Sequence, residues 1–301
     1  MRILYLGSGH PAESALKEIV KEFKVEGLIL SRVPQNVPSK SSTSEGVIKI
    51  AKKNNIPVYL SSNLEIIKKI KPDLVIVNNF RDIIPAKYVK RYKIINIHYS
   101  LLPKYRGMHS TQWAFINNEP YVGYSIYWMD ENVDAGDIIF QQKIKVEEKD
   151  DINTLYKKLN TALASSICKV LWKIHKGTAK RVKQDTMQAT YVQQRQPDDG
   201  LIDWNQNSRY IFNLVRALAY PYPRAYTFFK KNKIMIRKAS MYSSPNYYEI
   251  PGHVVALIKN KGALVKTGDN VLCVEDLEIE NGKIVKADKY FKRPGVRLKN
   301  D

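Results

Sequence analysis

The sequence predicts an α/β protein: a doubly wound, mostly parallel sheet first, then a smaller β-rich domain. Three observations carry that expectation. Short apolar runs alternate with amphipathic helical stretches through the first half of the chain. One of those runs, Leu74–Val77, is uninterrupted, as in a strand buried on both faces. Beyond residue 205 short strand-like runs recur between Gly or Asn residues.

The elements follow in order. Arg2–Leu6 is an apolar strand ending in Gly7-Ser8-Gly9, and the helix after it places Ala15, Ile19 and Phe23 on one face. Val25–Leu30 is the next strand. Ser31–Ser44, rich in Pro, Ser and Asn, reads as a mobile surface loop. Gly46–Lys53 is helical, Pro57–Leu60 a strand, and Asn63–Ile70 a short helix stopped before Pro72. Leu74–Val77 and Ile94–His98 complete a βαβ rhythm. Asn153–Lys176 is the clearest helix: Leu155, Leu159, Leu163, Ile167, Val170 and Ile174 keep a helical period, and Gly177 supplies the stop. A polar connector, Gln193–Asp203, leads to a helix at Ser208–Ala219. The strands Tyr226–Phe229, Lys233–Arg237, His253–Ile258, Ala263–Lys266 and Val271–Glu275 form a small barrel or sheet. The expected domains are 1–205 and 206–301, a division that suits a chain of 301 residues.

Composition narrows the function classes. No apolar stretch reaches the ~20 residues a membrane helix needs, and the first residues do not read as a signal peptide. Cys168 and Cys273 stand far apart in apolar runs, which suits small core residues and a reducing cytosol rather than a disulfide framework or a metal site. The net charge of +20 argues for an anionic partner. The lysine runs Lys173–Lys183 and Lys230–Lys233 fit a phosphate-binding face or a merely solvated one, so charge alone does not choose the substrate.

Gly7-Ser8-Gly9-His10-Pro11-Ala12 fits the loose dinucleotide pattern after a strand. The second strand ends Leu30-Ser31-Arg32, without the acid that would hold a ribose. Arg32 suits a ribose phosphate, which leaves NADP open, but a tight strand-to-helix turn is the better reading.

The chemistry concentrates between Ile94 and Phe140. Asn96 and His98 share one face of a strand, because side chains alternate with period two. Ile95 and Ile97 point the other way. The strand runs into a polar turn, so the pair lies near a strand carboxyl end, where α/β sheets place ligands. An acid is needed to orient the imidazole, and Asp130, Asp134 and Asp137 are the candidates. The spacing of these acids lacks the calcium-loop pattern.

Asn96-x-His98, the loop SLLPKYRG at Ser100–Gly107 and the turn DAGD at Asp134–Asp137 together resemble the folate-dependent formyltransferase family. That family includes the methionyl-tRNA formyltransferases and the sugar-nucleotide N-formyltransferases of surface-polysaccharide (O-antigen) pathways. DDGLIDWN at Asp198–Asn205 resembles the family's link to its C-terminal domain, and the chain from Pro251 resembles its small OB-like barrel. The resemblance implies a Rossmann-like catalytic domain, N10-formyltetrahydrofolate as donor, a primary amine as acceptor, and no metal. It implies Asn96, His98 and Asp134 as the catalytic residues: His98 takes the amine's proton, Asp134 orients His98, and Asn96 donates to the developing oxyanion. The family's pterin loops correspond to Asn79–Ile84 and Asp130–Val133, which makes Phe80, Arg81, Ile84, Asp130 and Val133 the cofactor-binding candidates.

The acceptor is read from departures. Tyr99 stands where the tRNA enzymes usually carry Gly, and Met108-His109-Ser110-Thr111 replaces their small-residue pattern. The loop Ser31–Ser44 holds only Arg32 and Lys40 as basic residues, against a more basic loop in the tRNA enzymes. These departures favour a dTDP-, UDP- or GDP-linked amino sugar. Ser100, Lys104, Arg106, Met108 and Tyr222 are the substrate-binding candidates; Lys104 and Arg106 suit a pyrophosphate or, alternatively, brace their loop. Methionyl-tRNA formylation is the first alternative, and a non-catalytic nucleic-acid-binding protein on the same scaffold is the second. The expected location is cytoplasmic. Some relatives dimerise, and a homodimer stays open.

Overall fold

The computed structural model describes residues 1–31 and 44–299; Arg32 and Lys40 lie outside the described residues. The chain divides into two compact units. Met1–Thr111, Tyr121–Val146 and Thr154–Gln193 form the first; Gln112–Pro120, Glu147–Asn153 and the chain from Gln194 onward form the second.

The chain opens with β1 (Arg2–Gly7), α1 (Gly9–Glu22), β2 (Lys24–Leu30), α2 (Glu45–Lys53), β3 (Val58–Leu60), α3 (Ile66–Ile70), β4 (Leu74–Asn78), α4 (Ala86–Val89) and β5 (Ile94–His98). Then come β6 (Arg106–Gly107), α5 (Ser110–Ile116), β7 (Tyr121–Trp128), β8 (Ile138–Lys145), α6 (Ile152–His175) and β9 (Tyr191–Val192). The sheet of the first unit runs β3-β2-β1-β4-β5-β7-β8. Its first five strands are parallel. β7 pairs antiparallel with β5, and β8 antiparallel with β7. The sheet is therefore mixed. β7 and β8 are joined by a short turn, a connection available only to antiparallel neighbours.

The strands that centre this sheet are buried as their apolar runs require. Ile3 to Leu6 and Val75 and Ile76 are wholly inaccessible. β1 and β4 approach closely at their carboxyl ends, where a Cβ on Gly7 would collide with the Asn78 carbonyl oxygen. That is the packing role a glycine serves in a tight strand-to-helix turn. Leu155, Leu159, Leu163 and Ile167 of α6 are fully buried, and Gly177, at a φ of +69°, follows the helix. Cys168 and Cys273 are buried and unbridged.

In the second unit α7 (Ser208–Ala217) precedes β10 (Tyr226–Phe229), β11 (Asn232–Met241), β12 (Val254–Ile258), β13 (Gly262–Lys266), β14 (Val271–Glu278), β15 (Ile284–Lys286) and α8 (Ala287–Phe291). The side chain of Asn207 caps α7 by accepting from the Tyr210 amide. The sheet is antiparallel, ordered β10-β11-β14-β13-β12 with β15 on β14. Beyond α8 the chain bridges both ends of this sheet: Lys299 pairs with Phe228 of β10, and Arg297 pairs with His253 beside β12.

Candidate active site

β5 presents Asn96 and His98 on one face, two residues apart. Its neighbour β7 sets Tyr127 directly opposite Asn96 and Ser125 opposite His98. Cross-strand partners share a face, so the four side chains form a patch at the β5 carboxyl end. Asp134, on the turn after β7, reaches the same patch.

The contacts there are short and few. Asn96 Nδ2 donates to the Tyr127 hydroxyl at 2.8 Å, and that hydroxyl donates to Asp134 Oδ1 at 2.6 Å. Asp134 Oδ2 accepts from the Gly107 amide at 2.7 Å and faces His98 Nδ1 at 3.6 Å. His98 Nε2 lies 2.9 Å from the Tyr105 carbonyl oxygen. A carbonyl only accepts, so this bond places a hydrogen on Nε2. His98 is 8% exposed, whereas Asn96 and Asp134 are half-buried. Burial, and then the Asp134 charge, push the Tyr127 phenol well above its usual range, so it remains a hydrogen-bond donor.

The turn that carries Asp134 is held from behind. Asp134 has a left-handed φ of +51°. Gln184 Nε2 donates at 2.8 Å to the carbonyls of both Asp134 and Gly136. Gln184 Oε1 accepts from Arg106 Nη2 at 2.8 Å and Nε at 3.2 Å, and Arg106 Nη1 donates to the Tyr191 hydroxyl at 2.8 Å. A Cβ at Gly136 would collide with the Trp128 carbonyl oxygen. The loop before β6 is fixed by Ser125: its hydroxyl donates to the Ser100 carbonyl at 2.7 Å and accepts from the Leu102 amide and from Gln141.

The sequence-derived candidates separate accordingly. Asn96, His98 and Asp134 come together. Arg106 is 2% exposed, and its guanidinium is engaged by Gln184 and Tyr191, which is the loop-bracing alternative. The Ser100 hydroxyl donates to the Lys104 carbonyl, and the Lys104 side chain is exposed. Met108 is exposed as well. Tyr222, half-buried on the turn after α7, belongs to the second unit. Phe80 packs against the cluster containing Ile84 and Val77, and Met129, at the end of β7, packs on the same cluster. The loops bearing Phe80 and Asp130 therefore meet on common packing. Arg81, Asp130 and Val133 are exposed.

Tyr127, Ser125 and Gln184 are functional neighbours that the sequence reading missed. The run Tyr121–Trp128, rich in aromatic and β-branched residues, carries a strand signal, but its pairing with Asn96 does not follow from it. Tyr99 packs on its aromatic neighbours: its ring lies between Tyr124 and Tyr156, and its hydroxyl donates to Asn160 at 2.6 Å. The hydroxyls of Ser110 and Thr111 both donate to the Tyr99 carbonyl. These contacts hold Tyr99, Ser110 and Thr111 in the fold.

Comparison with known proteins agrees with this geometry. Residues 1–171 match the formyl transferase family, and residues 195–295 match the formyl transferase C-terminal domain. A methionyl-tRNA formyltransferase from Sulfurihydrogenibium sp. (strain YO3AOP1) is 32% identical over 293 residues, 94% of each chain. Among solved structures, WlaRD, a sugar 3N-formyl transferase in the presence of dTDP and 5-N-formyl-THF, superposes with a TM-score of 0.70 at 21% identity, over 90% of this chain and 96% of that one. An N-formyltransferase from Helicobacter canadensis, in complex with folinic acid and dTDP-3-aminofucose, gives 0.69 at 21% identity, over 94% of this chain and 98% of that one. The chain belongs to the formyl transferase family.

Proposed function

We propose that this folate-dependent formyltransferase acts on the primary amine of a nucleotide-linked amino sugar. The observation that carries formyl transfer is the cluster in which Asn96 and His98, on one face of β5, are both tied to Asp134. The solved structures bound to dTDP or a dTDP-sugar together with a folate support the acceptor.

The residues present fit the donor. On the two loops assigned to the pterin, exposed Ile83 and Val133 and half-buried Phe80 offer apolar surface to a planar ring. Bound N10-formyltetrahydrofolate supplies an activated formyl carbon. Asn96 then donates an amide N–H to the carbonyl oxygen as negative charge builds on it, a kind of contact whose loss costs about 3 kcal/mol in comparable sites. His98 takes the proton from the attacking amine. For this Nε2 must release the Tyr105 carbonyl and present a lone pair, with the ring hydrogen moved to Nδ1, which faces Asp134. The same proton is then available to the departing N10 nitrogen.

Methionyl-tRNA formylation is the second reading, favoured by the 32% identity to a tRNA enzyme over 94% of both chains. Incubation with N10-formyltetrahydrofolate and either charged initiator methionyl-tRNA or a panel of dTDP-, UDP- and GDP-linked amino sugars separates the two. Tetrahydrofolate release with a sugar nucleotide and none with tRNA is expected. Release with tRNA alone overturns the sugar reading.

A further inference from the structure

The Tyr127 hydroxyl stands between the two polar groups that the reaction uses, and its single hydrogen decides their arrangement. Asp134, a carboxylate, only accepts, so the phenol hydrogen goes to Oδ1 at 2.6 Å. The phenol oxygen is left to accept, and the partner it faces at 2.8 Å is Asn96. The nitrogen end of the Asn96 amide must therefore face Tyr127. One N–H is used there, and among the described residues the second has no other bond. Because a carboxamide is planar, fixing one N–H fixes the direction of the other. The cross-strand register places Tyr127 opposite Asn96, so their contact is built into the β5–β7 pairing, and the turn after β7 adds Asp134 to it.

We propose that Tyr127 is a positioning residue: it transmits the orientation of Asp134 to Asn96, so that the remaining Asn96 N–H is aimed at the reacting formyl oxygen. This rests on the formyl-transfer reading. Asp134 thus governs both halves of the site, His98 directly at 3.6 Å and Asn96 through the phenol. The buried phenol stays protonated at working pH, as the relay requires.

Tyr127→Phe removes the hydroxyl and keeps the ring. Its expected effect is a fall in kcat of about 30- to 100-fold, somewhat less than loss of the oxyanion donor itself, with KM for the folate donor within about twofold. In an Asn96→Ala background the same change is expected to cost nothing further, because Tyr127 acts through Asn96. Near-normal kcat in Y127F, or an equal loss in both backgrounds, overturns the proposal. A second readout does not need turnover. The Asn96 side-chain amide signal in NMR, identified by its absence in Asn96→Ala, is expected to exchange slowly with solvent in the wild type and faster in Y127F. Unchanged exchange overturns the relay even if the enzyme transfers formyl groups. Wild type that transfers no formyl group with any acceptor instead overturns the functional reading, and the amide exchange still decides the relay. Should Y127F not fold, Tyr127→Met, which keeps apolar bulk and has no donor, is judged by the same two measurements.

Discussion

Asp134→Asn is the substitution whose outcome the geometry constrains most tightly. The two Asp134 oxygens accept from two different donors, the Tyr127 hydroxyl at 2.6 Å and the Gly107 amide at 2.7 Å. An asparagine has the same shape but only one acceptor oxygen. Toward Gly107 the new NH2 group faces another donor; toward Tyr127 it turns the phenol hydrogen onto Asn96, whose amide must then reverse or face a donor. An unpaired buried donor costs about 1–3 kcal/mol, so a lower but still cooperative melting transition is expected. The catalytic cost is larger. His98 loses the charge facing Nδ1, and Asn96 loses the relay that orients it. General-base function contributes about 10²–10⁴-fold and an oxyanion donor about 10²–10³-fold. The two share one cluster and do not multiply, which places the expected fall in kcat near about 10³-fold with KM changed by less than about threefold. Tetrahydrofolate release at saturating donor and acceptor measures the first, and the concentration dependence the second. A folded Asp134→Asn enzyme within about tenfold of wild-type kcat would refute the reasoning.

Other outcomes follow from the same contacts. His98→Ala is expected to lower kcat by about 10³-fold or more while its melting curve stays near that of the wild type; near-normal turnover in the folded variant contradicts the base assignment. Gly136→Ala should yield little folded protein or a sharply lowered Tm, since its Cβ would collide with the Trp128 carbonyl oxygen beside the Asp134 turn; an unchanged Tm would show that the turn yields easily. Burial raises the phenols of Tyr5, Tyr99 and Tyr127. In the unfolded chain these groups lose their protons near about pH 10, so above that point the unfolded state binds fewer protons and stability falls as pH rises, with the contribution intact below it. Denaturant midpoints measured across alkaline pH are expected to drop while phenolate absorbance appears together with unfolding; phenolate absorbance that precedes unfolding would contradict the burial.

The sheet was legible where sequence and burial share one cause. Leu74–Val77 and Ile94–His98 read as strands because their apolar side chains are covered: Leu74–Val77, Ile94, Ile95 and Ile97 are all buried. Asn96 and His98 were legible because period-two alternation fixes a shared face without any tertiary information. The antiparallel β7–β8 arm was not, since parallel and antiparallel neighbours are chosen by connection and packing rather than by composition. Tyr127 was invisible for a related reason: its role depends on the register Asn96–Tyr127 between two strands separated by β6 and α5. Tyr99 and His98 part company because adjacent residues on a strand end face opposite ways. His98 turns toward Asp134, while the Tyr99 ring joins Tyr124, Tyr156 and Asn160. Arg106 sits in a loop motif rich in charge, yet its guanidinium is inside, holding Gln184.

The most direct test follows an isotope-labelled formyl carbon from N10-formyltetrahydrofolate in wild type and in Asn96→Ala, with the acceptor found by the panel. The account predicts label in an amide on the acceptor nitrogen, formed about 10²–10³-fold more slowly by the folded Asn96→Ala enzyme. Label transferred by Asn96→Ala at the wild-type rate, or released only as formate without regard to the acceptor, would contradict it.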